Sequence, residues 1–530
     1  MRRSRRALAV VAVALAGVLI GGTVTAAGPS DRWVSAGHDL HNTRNQDNEH
    51  KIGVGNVAGL QVKWAFTTGG DVSATPAVDG TTVYVPDWAG NLFAVDRKTG
   101  QQVWRASIPA ASGLPGDKAR ATPVITGNKV IVGTQGLGSG TKMLAFNKNT
   151  GALMWSTTIE SHFASIVTQS AVAHGSRLYV GVSSLEESLA AFIPGYICCT
   201  FRGSMLALDV NTGKIVWKTY LAPAGYSGNA VWGSTPAIDT SRGQVYIATG
   251  NNYSVPAAAL SCVAGLPPDD PARRDCLAPD DHFDSIVALD LKTGAIRWVT
   301  QALPFDAWTV DCIPIPGANG TNCPDPEGPD YDFGQGPALF TVRPNGNGTP
   351  RDLVGAGQKS GQYWAVDPDT GAVVWVTQAG PGGTAGGLQW GSAVDGTRVY
   401  TANANSLHTP WTLTNNTVTT DGVWSGLDAA TGAILWQVTP SHPNSPTAPG
   451  GATSGPVSSA NGVVYGCSLD PQGYMYALDG RTGQELWSFA SGGSCLSGAA
   501  IADGTVFWGS GYSNLGFGTP NNKLYAFGLP

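Results

Sequence analysis

Charge is scarce in this chain. Asp, Glu, Lys and Arg make up 13% of 530 residues, too few for a coiled coil or a highly charged disordered polypeptide. No basic run follows the first six residues, which argues against nucleic acid, because that affinity rests on neutralising phosphates with Lys and Arg. Also missing are a Cys-x-x-Cys-His motif and any cysteine pair at zinc-finger spacing. A covalent haem c and a structural zinc site are thereby excluded. After the apolar stretch that ends near Gly22, no run is long enough to cross a bilayer. Helical periodicity is absent from residue 28 onward.

What is abundant is glycine (71), proline (34) and aromatic residues, with 17 Trp, 15 Tyr and 14 Phe. The aromatics supply a core, so general disorder is excluded. Arg2, Arg3, Arg5 and Arg6 precede an apolar stretch from Ala7 to about Gly22, and small residues follow at Thr25, Ala26 and Ala27. This is the layout of a secretory signal peptide over residues 1–27, with an uncleaved membrane anchor as the alternative. The rest, 28–530, reads as one exported domain: secreted, periplasmic or at the cell surface. It carries 27 Lys and Arg against 37 Asp and Glu, a formal charge of −10. Eight cysteines in an exported chain point to disulfides. Connectivity is open; neighbour pairing would join Cys262 to Cys276, Cys312 to Cys323 and Cys467 to Cys495, leaving Cys198-Cys199 as an adjacent pair.

The segment AVDRKTGQQVW, Ala94 to Trp104, recurs with Thr-Gly and a terminal Trp at fixed offsets. The other copies end at Trp155, Trp217, Trp298, Trp375, Trp436 and Trp487. Each reads as a hairpin, in which Asp or Asn and Thr can bond nearby backbone groups and Gly can take positive φ. With another strand pair upstream of most copies, the unit has four strands, a β-propeller blade. Leu524–Gly528 starts an eighth hairpin without its Trp, and Leu60–Trp64 supplies the missing half at the other terminus. The fold class is all-β, an eight-bladed propeller closed by N- and C-terminal strands. Three insertions, about 183–202, 252–283 and 304–333, elaborate consecutive blades; loops this long are uncommon unless functional.

The Ala-x-Asp-x-x-Thr-Gly-x-x-x-Trp repeat resembles that of the pyrroloquinoline quinone dehydrogenases. The run Cys198-Cys199-Thr200-Phe201-Arg202-Gly203-Ser204 is similar to their polyvinyl alcohol dehydrogenase branch. This resemblance implies a quinone lying flat between a Cys198–Cys199 disulfide and Trp232. It implies further cofactor contacts from Arg120, Thr168, Ser184, Arg202, Trp390 and Lys359. A hard cation, Ca²⁺ or another such as a lanthanide, would be held by Glu187, with Glu186 as competitor, and by Asn251 and an acidic group. Where the family places its catalytic Asp directly after Trp308, this chain has Thr309. The base is therefore expected at Asp311, with metal contact, and Asp306 is the substitute. Lys359 would stabilise charge developing on the quinone oxygen. The implied activity is oxidation of secondary alcohols, polymeric ones included, with electrons leaving to an external acceptor, a separate cytochrome c being the natural choice. Two other readings compete: a non-catalytic propeller that binds proteins or a polymer, and a sugar-oxidising quinoprotein.

Overall fold

The computed structural model describes residues 32–316, 318–343, 348–442, 453–514 and 518–530. The expected signal segment lies outside them. Eight sheets form the ring, antiparallel apart from the short strand Asn45–Gln46 that joins blade 7 in parallel. Blade 1 runs through Ala77–Asp79, Thr82–Pro86, Asn91–Asp96 and Gln102–Ser107, with Arg32–Trp33 added at its inner edge. Blades 2 to 7 repeat the plan. Blade 8 takes three strands from the C-terminal region, ending in Lys523–Gly528, and its outermost strand, Gln61–Thr67, from near the N-terminus. That pairing covers the strand edge that an open ring would expose.

The repeat has a physical reason. In blade 1, Asp96 Oδ1 accepts from the Lys98 N–H (3.0 Å), the Thr99 N–H (2.8 Å) and Thr99 Oγ1 (2.8 Å), which folds the turn. Gly100 follows with φ 70°. The preceding Trp64 ring covers this glycine so closely that a Cβ there would lie 2.7 Å from the indole. Trp64 Nε1 also donates to Arg97 O in the same turn (2.9 Å). Trp104, Trp155, Trp217, Trp298 and Trp436 dock on the next blade's turn in the same way. Trp487 donates to Leu60 O (3.1 Å), so blade 7 is tied to the N-terminal half of blade 8. Trp375 packs on Gly432, but its indole N–H is buried without a partner.

A segment after Trp33 crosses the floor of the ring and stitches the innermost strands together. Val34 O, Leu40 O, His41 O, Thr43 O and Arg44 O accept from Ile125, Ile238, Leu339, Val394 and Ser459, in blades 2, 4, 5, 6 and 7. The three insertions stand where the sequence indicates. They contain two short helices, Glu186–Phe192 and Ala257–Ala264, that periodicity does not reveal; a third, Ile108–Ser112, follows blade 1. Helices of five to eight residues are too short to develop an amphipathic stripe. All four neighbouring cysteine pairs are bonded, Cys198–Cys199 among them. Among the described residues, no helix is long and apolar enough to cross a membrane.

Closure through Gln61–Thr67 and Lys523–Gly528 carries an expected outcome. Deleting residues from Lys523 onward removes the partner of both Gln61–Thr67 and Thr505–Ser510. The truncated chain should be insoluble or rapidly proteolysed, and equal protease resistance of the two forms would refute the closure.

Candidate functional site

The site is built from strand ends and insertions of blades 3, 4 and 5. Asn251 follows the strand Gln244–Ala248. Its amide nitrogen donates to Asn252 O and Trp308 O, both at 2.9 Å. Those bonds turn Oδ1 the other way, and Oδ1 is buried with no hydrogen-bond partner. An orphaned buried amide oxygen is costly unless a ligand completes it.

Glu186 and Glu187 open the helix Glu186–Phe192, and the structure separates their roles. Glu186 is fully buried and accepts from the N–H groups of Thr200 (2.9 Å) and Phe201 (2.7 Å) and from Tyr196 OH (2.5 Å). Burial opposes its charge, but His162, Tyr196 and those N–H groups together hold its carboxyl below the usual range. Glu186 thus orders the loop that carries Cys198 and Cys199. Glu187 faces the site instead: burial pushes it up to about 7, Lys359 opposes the rise and Asp332 adds to it.

Lys359 lies two residues past the strand Arg351–Gly357. Its Nζ meets Asp330 Oδ1 at 2.8 Å and Asp332 Oδ2 at 3.3 Å, and it lies 5.6 Å from the centre of the Trp232 ring. Burial would strip its proton, but Asp330, Asp332 and Glu187 more than compensate, so its pKa is raised. Asp332 is a hub. It accepts from the Asn251 N–H (2.6 Å) and from Trp232 Nε1 (2.8 Å), so one carboxylate fixes a strand end and an indole plane. Trp232 also meets Trp390 edge to face at 5.2 Å, and Arg120 lies over Trp390 at 4.6 Å. Thr168 Oγ1 donates to Trp232 O (3.1 Å). Cys199 and Trp232 border the same apolar cluster, which includes Phe201, Ala230 and Tyr253.

Other expected contacts stand further back. Ser184 Oγ donates to Ala164 O (3.2 Å) and accepts from the Glu186 N–H (2.8 Å). Arg202 donates to Ala222 O (2.8 Å) and stacks over Tyr220 at 4.4 Å. Asp311, expected as the base, is tied into its own loop. Oδ1 accepts from the N–H groups of Asn319 (2.9 Å) and Gly320 (3.1 Å), and Oδ2 from that of Asn322 (2.8 Å). Burial opposes its charge, yet these three bonds hold its carboxyl below the usual range. It braces the Cys312–Cys323 loop. Asn322 in turn bonds Ala190 O, Tyr196 O and the Cys198 N–H (each 3.0 Å), so Asp311 supports the cysteine platform indirectly. Asp306 is buried and accepts from the N–H groups of Asp330 (3.1 Å) and Tyr331 (2.7 Å). Its carboxylate shapes the Asp330–Asp332 turn.

Asp330 and Asp332 are the site residues that the sequence reading missed. Their signal was available: an Asp-x-Asp pair, two residues upstream of Gly334, in a chain poor in charge. Asp330 also has φ 58°, an unusual left-handed conformation for a non-glycine residue.

The geometry can now be set beside known proteins. A family profile described as "Outer membrane protein assembly factor BamB" (PQQ_2) matches residues 56–300 and 420–515. The chain belongs to this family of quinoprotein-type propellers. The chain is 29% identical to a polyvinylalcohol dehydrogenase of Pseudomonas sp, over 94% of its own length and 77% of the relative's. It is 28% identical to a polyvinylalcohol dehydrogenase of Sphingopyxis sp. (strain 113P3), over 95% and 77%. These relatives bear out the resemblance to pyrroloquinoline quinone-dependent dehydrogenases of the polyvinyl alcohol branch. Its fold is also that of a quinohemoprotein alcohol dehydrogenase from Comamonas testosteroni, with TM-score 0.68 and 18% identity, covering 95% of this chain and 81% of the other.

The residues present fit a hard cation: a carboxylate at Glu187 and an orphaned oxygen at Asn251. They also fit a planar acid, with two indoles and a guanidinium on one wall. Metal binding should show the difference between the glutamates. In metal-free protein, Glu187 is harder to ionise folded than unfolded, so wild type should lose stability as pH rises from about 4.5 through about 7. Glu187→Gln should remove that loss, about 1–3 kcal/mol at pH 8, and should also remove the rise in Tm that Ca²⁺ gives the wild type. Glu186→Gln should instead lower Tm with Ca²⁺ stabilisation retained. Identical behaviour of the two variants would undo the assignment.

Proposed function

We propose that this pyrroloquinoline quinone-dependent alcohol dehydrogenase oxidises secondary alcohols, polymeric ones included, to ketones outside the cytoplasm and passes the electrons to a separate acceptor such as a cytochrome c. The observation that carries the reading is the buried set of Lys359 with Asp330 and Asp332, next to the orphaned Asn251 oxygen. A scaffold propeller has no need to bury two carboxylates and a lysine together, since buried charge is expensive.

Glu187 and Asn251 Oδ1 would hold the cation. Trp232 and the Cys198–Cys199 pair would flank the quinone, while Arg120 pairs with a carboxylate and Trp390 walls the same side. When bound, the metal and quinone together supply an electrophilic acceptor for the two electrons and hydrogen that leave the carbinol carbon. The remaining work falls to side chains. We assign the base to Asp330 in place of Asp311. Both oxygens of Asp332 are committed to the frame, through the Asn251 N–H and Trp232 Nε1, whereas Asp330 hangs on Lys359 through Oδ1. Asp330 takes the hydroxyl proton; burial raises its pKa, as suits a group that must accept a proton, while Lys359 opposes that rise and supplies positive charge where negative charge develops. Asp306 sets the angle of approach by gripping the backbone N–H groups of Asp330 and Tyr331.

The test is reduction of an artificial dye by purified protein with 2-propanol or polyvinyl alcohol. Turnover should require both the quinone and Ca²⁺ or another hard cation. No turnover with any cation, despite saturable quinone binding, would favour the scaffold reading.

A further inference from the structure

Arg44 belongs to the segment that crosses the floor of the ring, and it is 1% exposed. Its Nε donates to Val457 O (2.8 Å), Nη1 to Ala36 O (2.7 Å) and Nη2 to Thr75 Oγ1 (3.2 Å). All three acceptors are neutral. Among the described residues, no carboxylate pairs with it within 4.0 Å. Burial alone pushes its pKa down to about 9, with no acidic neighbour to oppose the shift. A guanidinium still keeps its proton at neutral pH, so the charge stays. An isolated buried cation is costly, and such groups are normally paired.

The surroundings are made for this side chain. A Cβ on Gly498 would lie 2.3 Å from Nη2, and one on Gly391 2.9 Å from Cδ. Arg44 also lines a cavity of about 50 Å³ together with Arg120, Thr75, Thr168, Ser170 and Trp390. Among the described residues, no carboxylate lines this cavity. Two arginines, six hydroxyl residues and a tryptophan therefore line a space that fits one carboxylate group or one to two waters.

We propose that Arg44 and Arg120 form a two-guanidinium pocket on the axis of the propeller that binds a single carboxylate group. Arg44 presents its charge from the floor and Arg120 from the blade 2 side; Thr75 and Ser170, whose hydroxyl oxygens accept from Arg44 and from the Thr122 N–H, can turn their protons to the carboxylate. The carboxylate has two sources: an acid group of the quinone, or a small free anion. The first rests on the proposed function; the pocket's affinity for a carboxylate does not.

The experiment uses quinone-free protein in a buffer whose anion is too bulky for the cavity, with formate as probe at constant ionic strength. A saturable rise in Tm of about 3 °C is expected in wild type, and it should be lost in Arg44→Lys and in Arg120→Gln. Quinone binding is then followed by tryptophan fluorescence. Formate that competes with quinone identifies the quinone's acid group as occupant; simultaneous binding identifies a free anion. If Arg44→Lys fails to fold, a formate shift that Arg120→Gln abolishes supports the pocket and one that it retains overturns it. A formate shift retained in both variants overturns the proposal. So does quinone affinity that falls about tenfold in Arg120→Gln but is unchanged in Arg44→Lys, with no formate shift in wild type.

Discussion

Asp330→Asn is expected to lower kcat/KM for 2-propanol by about 10²–10⁴-fold, the range associated with loss of a general base. Quinone and metal affinity should change far less, because Asp330 is not among the groups assigned to either. The substitution is nearly isosteric, and the amide can still accept from Lys359, so the fold should survive. Asp311→Asn supplies the contrast. It weakens three backbone hydrogen bonds in the Cys312–Cys323 loop and should lower Tm while leaving most of the turnover in place. The native Asp311 carboxyl is held below its ordinary range, so the stability it gives is present above the ordinary pKa and lost as pH falls through the lowered one. Reversed outcomes for the two variants would return the base to Asp311.

Lys359→Met should have the largest effect on stability. It leaves Asp330 and Asp332 buried without their cation, and breaking a buried pair from one side costs about 3–5 kcal/mol. The loss should be greatest at neutral and alkaline pH in metal-free protein. It should shrink as pH falls and the orphaned carboxylates take up protons, since burial already pushes Asp330 well above its ordinary pKa. Lys359→Arg should keep much of the stability. Thermal melting between pH 5 and pH 8 checks both variants; a deficit for Lys359→Met that does not depend on pH would mean the lysine is not neutralising this cluster.

The ring was legible because one short repeat encodes one local solution. Asp96, Thr99, Gly100 and the preceding blade's Trp form a single contact set, and seven copies of it, with the split eighth, predict eight blades. The closure was legible for the same reason, from a Trp without its hairpin and a hairpin without its Trp. Resemblance marked Glu187, Asn251 and Lys359, each at or just past a strand end, where the blade plan leaves little freedom. The proposed base, Asp330, was not legible. Sequence proximity to Trp308 favoured Asp311, but the loop turns back on its own disulfide. The chain returns to the site about twenty residues later, where Asp306 grips the backbone of Asp330 and Tyr331. Bonds of that span leave no periodic trace. Arg44 was silent too, since its meaning comes from Val457, Thr75 and Arg120, brought together only when the ring closes.

The most direct measurement is dye reduction by quinone- and Ca²⁺-loaded protein with 2-propanol, compared with the same alcohol carrying deuterium on its carbinol carbon. If the buried cluster around Lys359, Asp330 and Asn251 oxidises alcohols, turnover should be slower with deuterium at saturating dye, and Asp330→Asn should remove it. Dye reduction that does not depend on the alcohol, or that survives Asp330→Asn undiminished, would contradict the assignment.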